Sequence, residues 1–215
     1  ENSLKINYIN TDQNEDAGQT IKVIPKNTDF LIVDCYSLGK KWHRQLRPYT
    51  KKIIVIDDLS NKQFDCDVLI NQNLGSLEKD YSNKVPLECI LLLGSKYVLL
   101  RPEFTQLREK AIKKRQNTLE VKNILISIGS SDNYNITYKI LKQLDERFNI
   151  VVVLGELSPH NKMIKKYAKN KNIKVIVNAN NMAQLMLEAD FSIGAGGSTN
   201  WERLYLGLPS MVFTV

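Results

Sequence analysis

The chain has 215 residues, of which 43% are hydrophobic and 25% charged, a composition typical of one large or two small globular domains and too apolar for a disordered protein. Its three cysteines are widely spaced, so we expect no disulfide framework, and a reducing cytoplasm is the simplest location. No apolar run approaches the roughly 20 residues of a membrane span, so we expect no bilayer segment. The formal charge of +7 comes mainly from scattered lysines, whereas a nucleic-acid-binding protein more often concentrates arginine and aromatic residues in one stripe.

Short apolar runs rich in β-branched residues recur along the chain and predict strands. Continuous apolar runs of this length are typical of strands buried on both faces of a parallel sheet. Between several of them, apolar residues recur at helical spacing. The alternation predicts right-handed βαβ units in an α/β fold. The predicted strands are 30–33, 53–56, 68–70, 89–93, 124–128, 150–154, 173–177, 191–193 and 211–213, and the predicted helices are 135–147, 160–170 and 182–188.

The charged segment 108–122 interrupts this pattern. It contains few apolar residues, so we interpret it as an exposed helix and linker and place a domain boundary there. The division gives a partial N-terminal Rossmann-like domain, 1–115, and a C-terminal nucleotide-binding Rossmann-like domain, 116–215. Both ends are interpreted as truncated, because residues 1–20 contain no clean strand or glycine-rich loop and no helix follows the last predicted strand.

The most informative motif is the small-residue turn that follows the strand at 191–193. It runs from Gly194 to Thr199 into a predicted helix that carries Glu202. Unsatisfied amides and the helix dipole favour a phosphate at such a helix start, and glycines let the backbone approach it. A carboxylate one turn further suits a ribose diol. The alternative is a tight turn capped by Ser198 or Thr199, with Glu202 as an ordinary first-turn acid.

A second strand-to-turn segment, 126–133, also presents small residues ahead of a predicted helix. Taken singly it is consistent with a generic loop between a strand and a helix. Because the carboxyl ends of parallel strands meet at one edge of a sheet, the two turns are expected to converge on one crevice. Together they favour a phosphorylated ligand.

The remaining chemically active residues give weaker indications. His43 is interpreted as a solvated residue of a helix, and His160 as a surface residue at a helix start. Asp57 and Asp58 end a strand, where they serve either as acid and base or as caps of the next turn. Cys35 is interpreted as structural because no histidine partner is evident. No catalytic triad or metal-ligand spacing is recognisable, so no metal or cofactor is expected.

Taken in chain order, these segments resemble the PseG family, the UDP-2,4-diacetamido-2,4,6-trideoxy-β-L-altropyranose hydrolases of pseudaminic acid biosynthesis. The most specific match is the turn and helix at 194–203 followed by Leu-Gly-Leu-Pro-Ser at 206–210. The resemblance extends over nearly the whole chain from Asp16 onward. Further matching segments are 31–36, 56–59, 66–73, 93–104 and 181–186.

The resemblance implies a GT-B-like α/β fold, with two Rossmann-like domains of mostly parallel sheets, the N-terminal one incomplete, and a nucleotide sugar between them. It implies release of UDP by water attack at the anomeric carbon, without a metal or cofactor. The freed sugar then feeds a nonulosonic acid that decorates flagellin or surface polysaccharide. We expect a cytoplasmic monomer whose partner is a UDP-sugar rather than a nucleic acid.

By the same resemblance, the turn after 191–193 is the diphosphate site. Gly196 and Gly197 would approach the diphosphate with their backbone, and Ser198 and Thr199 would complete the turn around it. Glu202 would hold the ribose.

The resemblance assigns five further residues to the substrate. Gly129, Ser130 and Asp132 would line the cleft near the pyrophosphate and the sugar. Met182 belongs to a loop expected beside the uracil. Arg101 would pair its guanidinium with a phosphate or with the sugar.

Two departures from the family bear on catalysis. The family's Gly-x-Gly-His-x-x-Arg turn, whose histidine is its expected general base, has no counterpart in this chain, and neither His43 nor His160 matches it. The catalytic residue is therefore unknown, and this chain alone is expected to bind UDP but to turn over poorly or not at all. The family also often has histidine at the position of Cys35. A GT-B glycosyltransferase that uses a UDP-sugar donor and a non-catalytic UDP-sugar-binding fragment remain alternatives.

Overall fold

Parallel strands form two separate sheets in the computed structural model of this protein, which describes residues 12–129 and 131–213. Contacts divide the chain into a unit up to Leu99 and a unit from Leu100 onward. The predicted α/β class with parallel sheets is confirmed in both units. The sequence-based boundary at 115/116 lies at the C-terminal end of a helix of the second unit. Within the described residues, no helix has both the length and the apolar character needed to cross a bilayer.

The N-terminal unit is a four-stranded sheet with its strands in sequence order. Its first helix begins at Asp12, whose carboxylate accepts hydrogen bonds from the amides of Asn14 and Glu15, as an N-cap does. Apolar periodicity does not predict this helix, because only Ala17 of it is fully buried. The elements are α1 (Gln13–Val23), β1 (Thr28–Val33), α2 (Lys40–Leu46), β2 (Thr50–Ile56), β3 (Val68–Asn71) and β4 (Ile90–Leu93).

The two faces of this sheet differ in how well they are covered. One face packs its apolar side chains, among them Val33, Ile53 and Leu69, into a core that also contains residues of α1 and α2. On the other face Phe30 and Ile32 expose 64% and 63% of their surface. Strands of a parallel sheet are usually buried on both faces. The described residues therefore leave β1 uncovered on that face, where Ile54 of β2 and Ile70 of β3 are partly buried.

The C-terminal unit is a five-stranded parallel sheet of order β7-β6-β5-β8-β9. The strand order reverses between β5 and β8, which is the arrangement of a doubly wound fold. The predicted helix at 135–147 is shorter in the structure and ends at Leu141. The elements are α3 (Pro102–Asn117), β5 (Asn123–Ser127), α4 (Ile136–Leu141), β6 (Asn149–Leu154), α5 (Asn161–Ala168), β7 (Ile173–Val177), α6 (Met182–Glu188), β8 (Phe191–Ala195), α7 (Thr199–Tyr205) and β9 (Ser210–Phe213).

Both faces of this second sheet carry a core. Leu125 of β5 belongs to one cluster, together with buried residues of α3 and α6. Its neighbour Ile126 points the other way and packs with Leu141 of α4 and Ile164 of α5. This alternation follows from the period of two in a strand. The near-continuous apolar runs in the sequence reflect that two-sided burial.

The interpretation of 108–122 as an exposed helix and linker is wrong for the buried side of α3. Phe104 and Ala111 are fully buried against α6. Near its C-terminal end, Lys114 donates to the carbonyl of Ala189 at 3.0 Å, and Arg115 donates to the carbonyl of Met186 at 2.6 Å. Cations at a helix C-terminus satisfy its free carbonyls and complement its dipole. These charges are therefore caps of α6 rather than solvated linker residues.

Asp190, just ahead of β8, completes this connection. Its Oδ1 accepts from the Lys114 Nζ at 2.7 Å, and its Oδ2 accepts from the backbone amides of Lys122 and Asn123 and from the Asn123 side chain. Burial acts to raise the pKa of Asp190, but the hydrogen bonds from Lys114 and from the two amides outweigh it and lower the pKa. The ionised carboxylate joins α3, β5 and β8.

Replacing Asp190 by asparagine removes the charge and replaces one carboxylate oxygen, a hydrogen-bond acceptor, by an NH2 group that faces other donors. We expect this change to lower the free energy of unfolding by about 2–3 kcal/mol at pH 7. A carboxyl whose folded pKa lies below its unfolded value of 3.8 stabilises the fold above that pH. Its contribution is lost as the pH falls through the lower folded pKa. Urea denaturation from pH 7 down to pH 3 should therefore show the difference between Asp190→Asn and the parent chain shrinking at the acid end.

The matched control is Asp145→Asn. Asp145 is exposed and accepts one backbone hydrogen bond, from Arg147, so the change should cost less than about 1 kcal/mol. A loss for Asp190→Asn that is the same at pH 7 and pH 3 would contradict the role given to its charge.

Candidate functional site

Two turns leave adjacent strands at the carboxyl edge of the C-terminal sheet. The strands β5 and β8 are hydrogen-bonded neighbours, with Ile126 opposite Ile193 and Ser127 opposite Gly194. The chain continues from β5 toward α4 and from β8 toward α7, which belong to the two halves of the doubly wound fold. Neighbouring strands whose connections diverge in this way open a crevice at their carboxyl ends. The expectation that the two turns meet at one edge is therefore confirmed.

The turn after β5 is held by Asp132. Its two carboxylate oxygens accept from the amides of Ile136 at 2.8 Å and Thr137 at 3.0 Å. The side chain is buried, so Asp132 anchors the start of α4. Gly129, beside the strand end, has a φ of +89°. Ser130, which the resemblance assigns to the cleft, lies outside the described residues.

A small cavity of about 240 Å³ lies beside this turn. Its lining combines apolar side chains with polar groups of the turn. Because both oxygens of Asp132 are already bonded to the start of α4, other groups of the turn are better suited to meet a ligand there. The lining residues are Ile128, Ser131, Asp132, Asn133, Tyr134 and Ile136.

The turn after β8 leads directly into α7. Gly197 has a φ of +100°, a left-handed conformation that residues with a Cβ rarely adopt. Ser198 precedes α7 and its side chain makes no capping hydrogen bond. Of the two interpretations of this motif, the one in which the Ser198 hydroxyl caps the helix is therefore not observed. This turn leaves the same strand edge as the turn after β5.

Glu202 lies within α7 and is half-buried, with 19% of its side chain exposed. Its Oε1 lies 3.5 Å from a guanidinium nitrogen of Arg101, and a second nitrogen of Arg101 lies 3.0 Å from Glu103. Burial raises the pKa of Glu202, and the positive charge of Arg101 opposes that rise. The structure thus brings together two predicted site residues that are 101 positions apart, Arg101 just ahead of α3 and Glu202 in α7.

Met182, which the resemblance places in a loop beside the uracil, is the first residue of α6. It is partly buried and packs against the cluster that α3 and α6 share. The geometry thus gives it a packing role.

Arg203 is a residue of this site that sequence reasoning misses. It is 1% exposed, and its guanidinium donates to the carbonyl of Ala195 at 2.7 Å and to the side-chain oxygen of Asn200. Burial lowers the pKa of Arg203. The side chain therefore ties the last residue of β8 to the first turn of α7. The one signal in the sequence is Gly194, a glycine inside a strand, which often marks the close approach of another group.

In the N-terminal unit, Asp57 is a structural residue. Its carboxylate accepts from the amide of Ser60 at 2.8 Å and from the hydroxyl of Tyr81 at 2.9 Å, and Asn71 donates to that hydroxyl. Of the two interpretations of the Asp57-Asp58 pair, the turn cap is the one observed for Asp57. Asp58 is exposed.

The prediction that His43 is solvated is wrong. The ring is fully buried, stacks on Phe64 and accepts from the amide of Asp65 at 3.2 Å. Burial lowers the pKa of His43 to about 4, so the ring is neutral and acts as a core residue. Because His43 is a single polar residue in a helix with several basic residues, the sequence pattern gives no sign that its ring is buried. His160 precedes α5, as predicted, with its Nε2 3.3 Å from the carbonyl oxygen of Asn133.

Adding a methyl group at Gly194 should displace the Arg203 guanidinium. A Cβ there would lie 2.0 Å from a guanidinium nitrogen and 2.9 Å from the carbonyl oxygen of Ser127. We expect Gly194→Ala to lower the free energy of unfolding by about 2–3 kcal/mol in urea titrations, since overpacking and a lost buried hydrogen bond add.

Gly196→Ala is the control two residues away. Its Cβ would meet nothing nearer than the Asn200 side chain at 3.8 Å, so the change should stay within about 0.5 kcal/mol. Equal stabilities of the two variants would contradict the close approach of Arg203 to β8.

The chain is similar to several known proteins over most of its length. The family described as "Protein of unknown function (DUF354)" matches residues 107–213. An uncharacterized protein of Methanocaldococcus jannaschii is 35% identical over 99% of this chain and 45% of its own length. The spore coat polysaccharide biosynthesis protein SpsG of Bacillus subtilis is 28% identical, over 88% of this chain and 56% of its own length.

A third relative carries an enzyme name. The UDP-2,4-diacetamido-2,4,6-trideoxy-beta-L-altropyranose hydrolase of Campylobacter jejuni is 29% identical over 83% of this chain and 63% of its own length. This chain therefore spans about half to two thirds of the length of the curated relatives it matches.

Among solved structures, MurG of Acinetobacter baumannii superposes with a TM-score of 0.55 at 12% identity. The superposition covers 94% of this chain and 56% of that one. MurG is a GT-B glycosyltransferase, and the likeness confirms the predicted GT-B-like α/β fold. The chain is thus a distant homologue of the Campylobacter altropyranose hydrolase and of Bacillus SpsG.

Proposed function

We propose that this protein is a UDP-sugar hydrolase, which releases UDP from a diacetamido-trideoxy sugar nucleotide by attack of water at the anomeric carbon. The observation that carries the proposal is the crevice between the turns after β5 and β8, with Glu202 one helical turn beyond the second of them. Distant homology to an altropyranose hydrolase supports the choice of substrate. The product would then feed the synthesis of a nonulosonic acid for flagellin or surface polysaccharide.

The diphosphate is assigned to the turn after β8. Gly197 has a left-handed conformation there, and successive amides in turns of this kind bind anions. The hydroxyls of Ser198 and Thr199 would supply further donors. Gly129 and the other small residues of the turn after β5 would face the same diphosphate or the sugar from the neighbouring strand end.

The ribose is assigned to Glu202. An ionised carboxylate accepts hydrogen bonds from both hydroxyls of a diol, and its half-buried position strengthens them. Arg101, 3.5 Å away, favours the ionised form and would direct its remaining donors toward a phosphate. Because burial raises the pKa of Glu202, ribose binding should weaken as the pH falls through that raised pKa.

Hydrolysis needs a general base for the attacking water, and none is assigned within this chain. The Gly-x-Gly-His-x-x-Arg turn has no counterpart in the sequence, and the buried, neutral His43 is committed to packing. The residues proposed above bind and orient the nucleotide, and we expect the chain by itself to act as a monomeric UDP-binding protein that requires neither metal nor nucleic acid.

A GT-B glycosyltransferase is the second candidate. The MurG-like fold and the polysaccharide-biosynthesis name of the Bacillus relative favour it. Both activities would use the same nucleotide site, since they differ only in whether water or an acceptor alcohol attacks the anomeric carbon. They are distinguished by their products.

Calorimetric titration tests the nucleotide site. UDP should bind to the chain more tightly than UMP or GDP, because the proposed site reads both the second phosphate and the uracil. Glu202→Gln should weaken UDP binding about 10- to 100-fold, the usual cost of losing hydrogen bonds to a charged group. Glu109→Gln, the same change at an exposed site of α3, should leave the affinity within about twofold.

Two results would overturn the site. One is absence of UDP binding by a chain that circular dichroism shows to be folded. The other is UDP binding that Glu202→Gln leaves unchanged.

Turnover gives a separate test. The purified chain should release UDP from the sugar nucleotide no faster than its Glu202→Ala variant, because the chain offers no base for the attacking water. The measurement is UDP formation in H₂¹⁸O, with and without an acceptor alcohol. Release that depends on Glu202 would contradict this expectation. Label in the anomeric hydroxyl of free sugar would then favour the hydrolase, and sugar attached to the acceptor would favour the transferase.

A further inference from the structure

Two of the three cysteines lie against each other in the N-terminal unit. The Sγ atoms of Cys66 and Cys89 are 3.6 Å apart, in hydrogen-bonding contact, and both thiols are free. Cys66 lies just ahead of β3 and Cys89 just ahead of β4, and these strands pair with Val68 opposite Ile90. The contact thus follows from the register of the sheet and not from closeness in the sequence.

The two cysteines differ in their exposure to solvent. Cys66 is 1% exposed and belongs to the core, whereas Cys89 is only half-buried. Residues next to Cys89 in the sequence are also exposed, Leu87 fully and Ile90 by 58%. A small oxidant dissolved in water would therefore reach Cys89 first.

The thiol hydrogen bond makes the pair chemically unequal as well. Contact with the Cys66 thiol lowers the pKa of Cys89, while the same contact and burial raise the pKa of Cys66. Thiolate, rather than thiol, is the form that reacts with oxidants. The accessible sulfur is thus also the one that ionises more readily.

We propose that Cys66 and Cys89 form an oxidation site, in which hydrogen peroxide converts the two thiols into an intramolecular disulfide. The Cys89 thiolate attacks one oxygen of the peroxide, the O–O bond breaks, and Cys89 sulfenic acid and hydroxide form. The Cys66 sulfur then attacks the sulfur of Cys89, the S–O bond breaks, and the S–S bond forms. In balance, two thiols and one peroxide give one disulfide and two waters.

The fold allows this step with little movement. Sulfur atoms in a disulfide are about 2.0 Å apart, so the present contact must close by about 1.5 Å, a change within reach of side-chain rotation. Asp67, between the two strand starts, is fixed by its own hydrogen bonds, its amide donating to Ile53 and its carbonyl accepting from Ile90. The backbone on both sides of the new bond is therefore already held.

The bond would close a loop from Cys66 to Cys89. This loop contains Tyr81, whose buried hydroxyl donates to Asp57 at the end of β2. Closing a loop of this length restricts the unfolded chain. Oxidation is thus expected to stabilise the N-terminal unit, independently of any ligand at the proposed nucleotide site.

Thiol counting tests the site directly. The reduced, desalted chain is treated with hydrogen peroxide, unfolded in acid and alkylated, and its mass is measured. We expect titratable thiols to fall from three to one, with a loss of 2 Da before alkylation and a peptide pair that links Cys66 to Cys89. Cys35→Ser is the matched control, because Cys35 is exposed and outside the pair, and its thiols should fall from two to none at the same peroxide concentration.

The order of reaction is tested with Cys66→Ala, which leaves Cys89 without a partner. Under peroxide this variant should accumulate sulfenic acid at Cys89, trapped as a dimedone adduct, and should form no internal disulfide. Because the Cys35→Ser measurement needs no change in the core, the disulfide can be tested even where Cys66→Ala does not fold.

Three outcomes would overturn the proposal. They are retention of all three thiols, a disulfide that involves Cys35, and stepwise gains of 16 Da in the intact chain with no 2 Da loss. The stabilising effect is read from thermal unfolding, where the oxidised chain should melt several degrees above the reduced chain and return to the lower temperature with reductant. Equal melting temperatures would remove the stabilising role.

Discussion

A buried guanidinium connects the end of β8 to the start of α7, and the candidate site depends on this connection. Arg203 is held by the carbonyl of Ala195 and the side chain of Asn200, and Gly194 leaves the space that its head group occupies. Burying a charge this deeply is costly, and among the described residues only the Nη2 of Arg203 has hydrogen-bond partners, while Nε and Nη1 have none. Those bonds join the last residue of β8 to the first turn of α7 and so span the turn that contains Gly197.

The strands were predictable from the sequence because two-sided burial leaves a direct trace. The run at 150–154 corresponds within one residue to β6, since a strand covered on both faces excludes polar residues from both. The turns were predictable for a related reason, as small residues after such runs indicate where parallel strands end. Fold class and the place of the crevice could therefore be inferred from local pattern alone.

What the sequence did not show are roles that depend on contacts between distant segments. His43 and α3 were interpreted as solvated because their neighbours are lysines and arginines, yet both are core elements. A narrow apolar side is enough to hold α3 against the core, because Lys114 and Arg115 also bind the C-terminal carbonyls of α6. The sequence alone likewise assigns no role to Arg203. The partner of such a charged residue can be identified only in the folded structure, where the distant chain segment lies beside it.

The open face of the N-terminal sheet has a physical consequence for handling the protein. Phe30 and Ile32 of the edge strand β1 expose apolar side chains to water, as does Ile90 of β4 at the opposite edge of the sheet, and exposed apolar surface of this kind promotes association. Because apolar burial strengthens on warming from low temperature and in sulfate or phosphate, solubility should decrease as a preparation is warmed or salted with these anions. Cold, dilute buffers of chloride salts are therefore the conditions in which this chain will stay dispersed.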